Sequence, residues 1–347
     1  MLDGDTRDGA FILTKPESLL HPRPEGLYCP PGDFFIDPVL PVARAVITHG
    51  HADHARAGHG TVLATPATLD IMRERYGEGF ADHAQPLAYG EAVVRDGVEV
   101  KLVPAGHVLG SAQIVVSWKG LIIVVSGDYK RRSDPTCAAF EPVPCEVFVT
   151  EATFALPVFR HPPATDEAAR LVASVRQFPD RTHLVGAYAL GKAQRLICLL
   201  RQAGWDRPIH VHGALVRLNA LYERHGVALG PLELTAGEAR AALPGEIVIA
   251  PPSAIADRWS RRFAEPVTCF ASGWMRVRAR ARQRAVELPL IISDHADWDE
   301  LTATAAEIAP GELWITHGRE EALARWAELN AIAARPLSLI GYADEDV

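Results

Sequence analysis

Several features that would settle a protein's class at a glance are missing from this chain of 347 residues. No stretch comes near the roughly 18 uninterrupted apolar residues that cross a bilayer. The opening "MLDGDTRDGAF" is acidic where a signal peptide is basic and then apolar. A membrane or secreted protein is therefore not expected, and a cytoplasmic one is. The 5 cysteines (Cys29, Cys137, Cys145, Cys198, Cys269) are scattered and form no Cys-x-x-Cys pair. That spacing argues against a disulfide framework or a thiolate zinc site and leaves reduced thiols. Positive charge is short as well: 35 Lys and Arg against 43 Asp and Glu give a net charge of -8, so any attraction to nucleic acid has to be local. Fixed-period repeats, low-complexity tracts and Gly/Ser linkers are absent. With 48% hydrophobic and 22% charged residues, nothing marks the chain as disordered.

What is present reads as two textures. The first half is strands and tight turns: "GDFFIDP", "ARAVITH", "TVLATP", "VEVKLVPAGH", then "AQIVVSW" and "LIIVVSGD" joined by Lys119-Gly120, a hairpin signal, and later "CEVFVTEAT". From about residue 164 strands and helices alternate, with helices over "TDEAARLVASVRQF", "GKAQRLICLLRQA" and "ALVRLNALYERHG" and strands over "THLVGAY", "PIHVHG", "GEIVIA" and "VTCFASG". Such alternation implies a parallel sheet covered by helices. The end of the chain, "LPLIISDHADWDEL" and "GELWITHGREEALARWAELN", again places a histidine between a strand and a helix, as the first half does. The expected organisation is a histidine-rich α/β domain interrupted by an α/β insertion.

The chemistry concentrates in "THGHADHARAGHG", residues 48–60. His49 ends an apolar strand; His51 lies across one glycine turn, and Asp53 and His54 fall one turn further on. His49 and His51 can aim at one metal, Asp53 and His54 at a second, and this mixture of nitrogen and oxygen donors suits zinc, or manganese where oxygen predominates. His107, Asp128 and His317 each follow an apolar strand at a glycine turn. Strand ends on one sheet edge converge, and a carboxylate such as Asp128 has two oxygens with which to bridge two ions. An H-x-H-x-D-H run is far more restrictive than a lone histidine. His59 is read as structural.

These residues resemble the metallo-β-lactamase fold, whose leading strand aspartate falls on Asp37 in "FIDP" and whose H-x-H-x-D-H signature falls on His49, His51, Asp53 and His54. The second half is similar to the β-CASP nucleases. "VTEATFAL" resembles their first motif, with Glu151 as its acid, "IISDHADWDEL" the second, with His295, and "ITHGRE" the third, with His317. The resemblance implies an αββα sandwich over 1–160 and 287–347 with an inserted α/β β-CASP domain over 161–286. Within that group, "TEATFALPVF", "YALGKAQR", "SGWM" and "SDHADW" most resemble bacterial DNA exonucleases encoded with ATP-dependent DNA ligases and helicases, relatives of Artemis and the cross-link-repair nucleases. A histidine at the third motif and "GKAQR" are also similar to RNA-processing members.

The resemblance further implies that His49, His51 and His107 hold one divalent ion, Asp53, His54 and His317 the other, and that Asp128 joins them. Asp37 would orient a ligand histidine by hydrogen bonding. His295 would act at the scissile phosphate, with Glu151 fixing its tautomer. Beyond those motifs, Lys192 opens a helix at a glycine turn, where it could receive a terminal phosphate. Ser253 occupies a similar place, explained by a helix N-cap. Arg276, Arg278, Arg280, Arg282 and Arg284 recur at every second position; strand periodicity would gather them on one side and helical periodicity would scatter them, and a basic lip contacting the nucleic-acid backbone is the expectation. Trp274 beside them is expected in the packing rather than on a base. The expectation is a two-metal DNA exonuclease of repair, directed to 5′ ends. An RNA nuclease on the same scaffold, and a metal-stabilised nucleic-acid-binding scaffold without hydrolysis, are the alternatives.

Overall fold

The computed structural model describes residues 15–235 and 243–337. Six strands open the chain: β1 (His21–Arg23), β2 (Gly26–Cys29), β3 (Phe34–Ile36), β4 (Arg44–Val46), β5 (His59–Ala64) and β6 (Ala81–Pro86). They form one sheet in sequential order, antiparallel to β3 and parallel from there on. Next come β7 (Ala92–Arg95), β8 (Val98–Pro104), β9 (Ala112–Trp118), β10 (Leu121–Val125) and β11 (Val147–Ala152). The expected hairpin is β9–β10, with Lys119 (φ 50°) and Gly120 (φ 82°) both in the left-handed region that a two-residue hairpin turn needs.

The chain then leaves for a third sheet: β12 (His183–Gly186), β13 (Ile209–Val211), β14 (Leu232–Leu234), β15 (Ile247–Ala250), β16 (Val267–Ala271) and β17 (Leu288–Leu290). Its order is β14-β13-β15-β12-β16-β17, parallel throughout, as the alternation of strands and helices predicts. β17 lies past residue 286, the edge read from sequence, because "LPL" pairs with β16 rather than with the sandwich. Finally β18 (Glu312–Gly318) and β19 (Ala333–Pro336) return to the second sheet, whose order is β19-β18-β11-β10-β9-β8-β7.

The first two sheets bury their facing sides in one core, including Leu27, Ile36, Val46, Leu102, Ile114, Ile123, Val149 and Trp314. The helix Pro66–Tyr76 covers the outer face of the first sheet; the helices Trp298–Ile308 and Glu320–Leu329 cover the second. The result is the αββα sandwich. A separate core joins the third sheet to the helices Ala164–Gln177, Lys192–Gln202 and Gly213–Arg224, and Ile71 and Leu109 of the sandwich extend that core across the seam. No helix among the described residues is long and apolar enough to cross a membrane.

A buried ionic cluster also crosses the seam. Asp134, on the loop after β10, bonds Lys130 Nζ and lies 3.2 Å from Nε of Arg195 in the helix Lys192–Gln202. Thr136 donates to the other carboxylate oxygen from N and Oγ1, at 2.9 and 2.6 Å. Burial opposes the charge of Asp134, but Lys130, Arg195 and Thr136 outweigh it and hold the carboxyl below the ordinary range. With a folded pKa depressed below the unfolded value of about 3.9, Asp134 stabilises the fold above that pH and loses its contribution as pH falls through the folded value. Asp134→Asn strands two buried cations and should cost roughly 3–5 kcal/mol at neutral pH. It should also flatten the acid limb of stability, and thermal unfolding followed from pH 7 down to about 3 checks both effects.

Candidate metal centre and active site

The fold brings the histidines to one edge because β8, β10, β11 and β18 all end there. β10, β11 and β18 are parallel neighbours, and β8 runs in the same sense across the antiparallel β9. His107 follows β8, Asp128 follows β10, and Glu151 and His317 lie at the ends of β11 and β18. From the facing sheet, β4 delivers the turn that carries His49, His51, Asp53 and His54. His317 has φ 57°, a left-handed value rare for a residue with a side chain, at the bulge where β18 shifts register against β11.

Ligand-capable atoms of His49, His51, His107 and Asp128, all buried, lie within 4.8 Å of one another. His51 Nδ1 is 3.2 Å from His49 Nε2 and 3.0 Å from His107 Nε2. Asp128 Oδ2 stands 3.5 Å from His49 Nε2, 3.7 Å from His107 Nε2 and 3.6 Å from His54 Nε2. His54 Nε2 in turn lies 3.5 Å from Asp53 Oδ2, and the His54 and His317 rings are 5.2 Å apart. Asp53 Oδ1 is buried without a hydrogen-bond partner. Asp128 thus lies within reach of His49, His51, His107 and His54, and Asp53 and His317 stand next to His54.

Outer hydrogen bonds decide which nitrogen each ring turns inward. His54 Nδ1 donates to Asp37 Oδ2 at 2.8 Å, and His107 Nδ1 donates to the Asp294 carbonyl at 2.8 Å. Thr48 Oγ1 gives its own hydrogen to Asp37 Oδ2 (2.5 Å), so at 3.0 Å it accepts from His49 Nδ1. His51 is reversed, with Nε2 facing the Leu190 carbonyl at 3.4 Å and Nδ1 inward. Each inward nitrogen is left with a lone pair.

Converging lone pairs repel unless something positive lies among them. For nitrogens about 2.0–2.1 Å from a tetrahedral zinc ion the edge is about 3.3 Å, close to the observed spacings. Burial, with the neighbouring imidazoles, holds His49 and His107 well below the usual histidine range, in the neutral form that ligates. Burial also pushes the Asp128 carboxyl up to about 8. Burial opposes charge on His54, yet Asp53 and Asp128 raise it to about 10. Positive charge is therefore what the cluster's electrostatics favour, and the His/Asp set fits a dinuclear metal site.

Glu151 and His295 stand beside it. His295 Nδ1 is 2.9 Å from Glu151 Oε2, and Glu151 Oε1 accepts from Tyr129 N at 2.8 Å. Burial works against a charged His295, but Glu151 and Asp128 outweigh it and hold the imidazolium well above its ordinary range. The His295 side chain keeps 13% of its surface, Glu151 none, so the histidine is the reachable end of the pair.

Two other expectations are altered. Lys192 is not an open turn lysine: its side chain is 1% exposed and pairs with Asp294 Oδ1 at 3.0 Å. The alternating arginines are not a strand. Gly273–Arg276 is a 3-10 turn and Arg278–Gln283 a helix, so the side chains scatter. Arg276 and Arg278 are exposed, Arg276 Nε bonding the Val158 carbonyl at 3.3 Å, while Arg280 covers the Trp274 ring at 3.9 Å. Trp274 packs on Phe154 and Phe159. His59 is buried in β5, accepting from Val42 N. Sequence reading missed Thr48, Asp294 and Leu190; the first two sit next to motif histidines, whereas Leu190 acts through its carbonyl and left no side-chain signal.

Residues 37–186 match the family model described as the metallo-beta-lactamase superfamily. A protein named probable DNA ligase from Opitutus terrae is 28% identical over 87% of this chain and 30% of its own length. Cleavage and polyadenylation specificity factor subunit 3 of Dictyostelium discoideum is 26% identical over 59% of this chain and 31% of its own length. An RNase J-like protein of Methanocaldococcus jannaschii is 24% identical over 52% of this chain and 50% of its own length. The chain thus spans half or less of each of these relatives. A crystal structure of an Enterococcus faecalis protein of unknown function superposes with a TM-score of 0.56 at 14% identity, covering 86% of this chain and 80% of the other, which bears on the fold alone. With its αββα sandwich and His/Asp cluster, the chain carries a metallo-β-lactamase domain, matched over residues 37–186, and its relatives are consistent with the β-CASP nuclease family.

Proposed function

We propose that this protein is a two-metal phosphodiesterase that removes nucleotides from DNA, working from 5′ ends in repair alongside an ATP-dependent DNA ligase and helicase. The observation that carries the hydrolytic reading is the Glu151–His295 pair at 2.9 Å, with His295 Nδ1 3.9 Å from Asp128 Oδ2. A purely structural metal site has no use for an imidazole held protonated at its open side. The DNA assignment leans on the relative named probable DNA ligase, which matches most of this chain.

In this reading His49, His51, His107, Asp53, His54, His317 and Asp128 would hold two divalent ions, zinc in preference to manganese because nitrogen donors predominate. Bound there, such ions supply Lewis acidity: they neutralise phosphate charge and lower the pKa of water. The chain's own residues do the rest. Asp37 and Thr48 keep His54 and His49 in the ligating tautomer. His295 binds a phosphate oxygen and, as the imidazolium, holds the proton for the departing oxygen on Nε2, because Nδ1 is committed to Glu151. Exposed Arg276 and Arg278 give an acidic protein a local cationic contact for the substrate backbone. The inserted layer, which runs through β17 to about residue 290, would form the second wall of the cleft.

A specific observation keeps an RNA reading in play: relatives named endoribonuclease ysh1, at 28% identity over 52% of this chain in Aspergillus fumigatus, and the RNase J-like protein. Matched DNA and RNA strands, labelled at either end, with or without a 5′-phosphate, decide between the two when zinc- or manganese-loaded protein is added. Nucleotides released first from the 5′ end of DNA are expected, with Asp128→Asn inactive. Faster release from RNA would sink the DNA assignment, and full activity of Asp128→Asn would sink the two-metal reading.

His295→Ala should lower kcat by about 10²–10⁴ while metal uptake is unchanged, measured by single-turnover kinetics and metal analysis. The Glu151 carboxylate raises the His295 pKa, so neutralising it in Glu151→Gln favours loss of the proton. The alkaline limb of the kcat–pH profile should therefore move to lower pH.

A further inference from the structure

The turn Leu190–Gly191–Lys192, between β12 and the helix Lys192–Gln202, belongs to the third sheet's layer, yet it reaches the metal-facing histidines twice. The Leu190 carbonyl faces His51 Nε2 at 3.4 Å. Lys192 pairs with Asp294 at 3.0 Å, and the Asp294 carbonyl accepts from His107 Nδ1 at 2.8 Å. Both members of that pair are buried, with side-chain exposures of 1% and 4%, so water does not screen them. Gly191 permits the approach: its φ is +85°, and a Cβ there would lie 2.4 Å from Val108 Cγ1, one residue from His107. Gln194 braces the turn, accepting from Gly191 N at 2.9 Å and donating to the Ala189 carbonyl and Asn219 Oδ1 at 3.0 and 2.8 Å.

An imidazole presents a fixed lone pair only while its other nitrogen is held by an acceptor; once released, it can change tautomer and rotate. Both acceptors for His51 and His107 depend on this turn, whereas those for His49 and His54 come from within the sandwich. We propose that the turn is a latch linking the two layers to the metal centre. Seating of the third sheet's layer on the sandwich and cation uptake by the His49/His51/His107/Asp128 group strengthen each other, with Lys192 a positioning residue that acts through Asp294. The inference rests on reading that group as a metal centre, and is independent of the nucleic acid hydrolysed. Linkage is reciprocal: whatever factor the seated turn adds to metal affinity, the metal returns to the stability of the seating.

The test is zinc titration against a competing chelator, paired with amide hydrogen exchange over residues 187–195 with and without zinc. Lys192→Met alone leaves a buried unpaired carboxylate and can fail to fold, so it is paired with Lys192→Met/Asp294→Asn, which removes both charges and retains the carbonyl, the fold of each being checked by circular dichroism. The double variant should bind its tighter zinc about 10–100-fold more weakly than wild type. Zinc should slow exchange across 187–195 in wild type and much less in the double variant. A folded double variant with wild-type zinc affinity, or wild-type amides indifferent to zinc, would overturn the linkage alone. A wild-type protein that takes up no zinc would overturn both the metal centre and the linkage.

Discussion

Asp128 Oδ2 stands 3.5–3.7 Å from three inward imidazole nitrogens, and so many lone pairs stay together in a dry interior only if positive charge lies among them and the rings are prevented from turning away. That constraint accounts for much of what surrounds the site. Asp37 is the root on one side. Its two oxygens hold Thr48 through both backbone N and Oγ1, and also hold His54; Thr48 then holds His49. A single buried carboxylate therefore sets two inward lone pairs, and its own charge is satisfied by three donors rather than left unmatched.

The same constraint explains why strand ends, and not helices, carry the site. Main-chain hydrogen bonding fixes the ends of β8, β10, β11 and β18 to within a sheet's tolerance, and their following turns start at one edge. Side chains launched from there converge without any long-range search. The facing sheet adds the 48–54 turn at right depth because the shared apolar core fixes the separation of the two sheets. Helices would have to be packed one by one to reach that precision; two sheets on one shared core inherit it.

How far this was legible in the sequence follows from the same physics. The parallel third sheet announced itself through long apolar runs alternating with helical periodicity, and the β9–β10 hairpin through two residues able to take positive φ. β1, β6, β7, β14 and β19 are short or polar edge segments whose pairing is set by neighbours, so no local pattern marked them. Metal-facing histidines were readable because clustering of costly residues is improbable without a use. Of the acceptors behind them, Asp37 was readable from its motif, whereas Leu190 and Asp294 were not, because they act through main-chain carbonyls and every residue has one. The arginine segment misled because a period of two fits a strand on paper, while Ala279 and Ala281 between the arginines favour the helix that forms.

Lys192 shows why a cation's role cannot be assigned from its turn alone. At a glycine-opened helix start it has the position of a phosphate receiver, but Asp294 sits opposite it at 3.0 Å in the same dry seam. A lysine so matched offers an incoming phosphate little: binding would require breaking a desolvated pair, and Asp294 would then be left buried beside the new anion. Arg195 is committed in the same way, to Asp134. In a chain with net charge -8, attraction for a polyanion has to come from cations whose counter-charges are elsewhere. Arg276 and Arg278 meet that condition. They are exposed, and the segment that carries them rests on the Trp274–Phe154 stack, whose Phe154 ring lies 6.1 Å from that of His295. Buried cations at this site brace the seam, and in the proposed reading the exposed ones would meet the substrate.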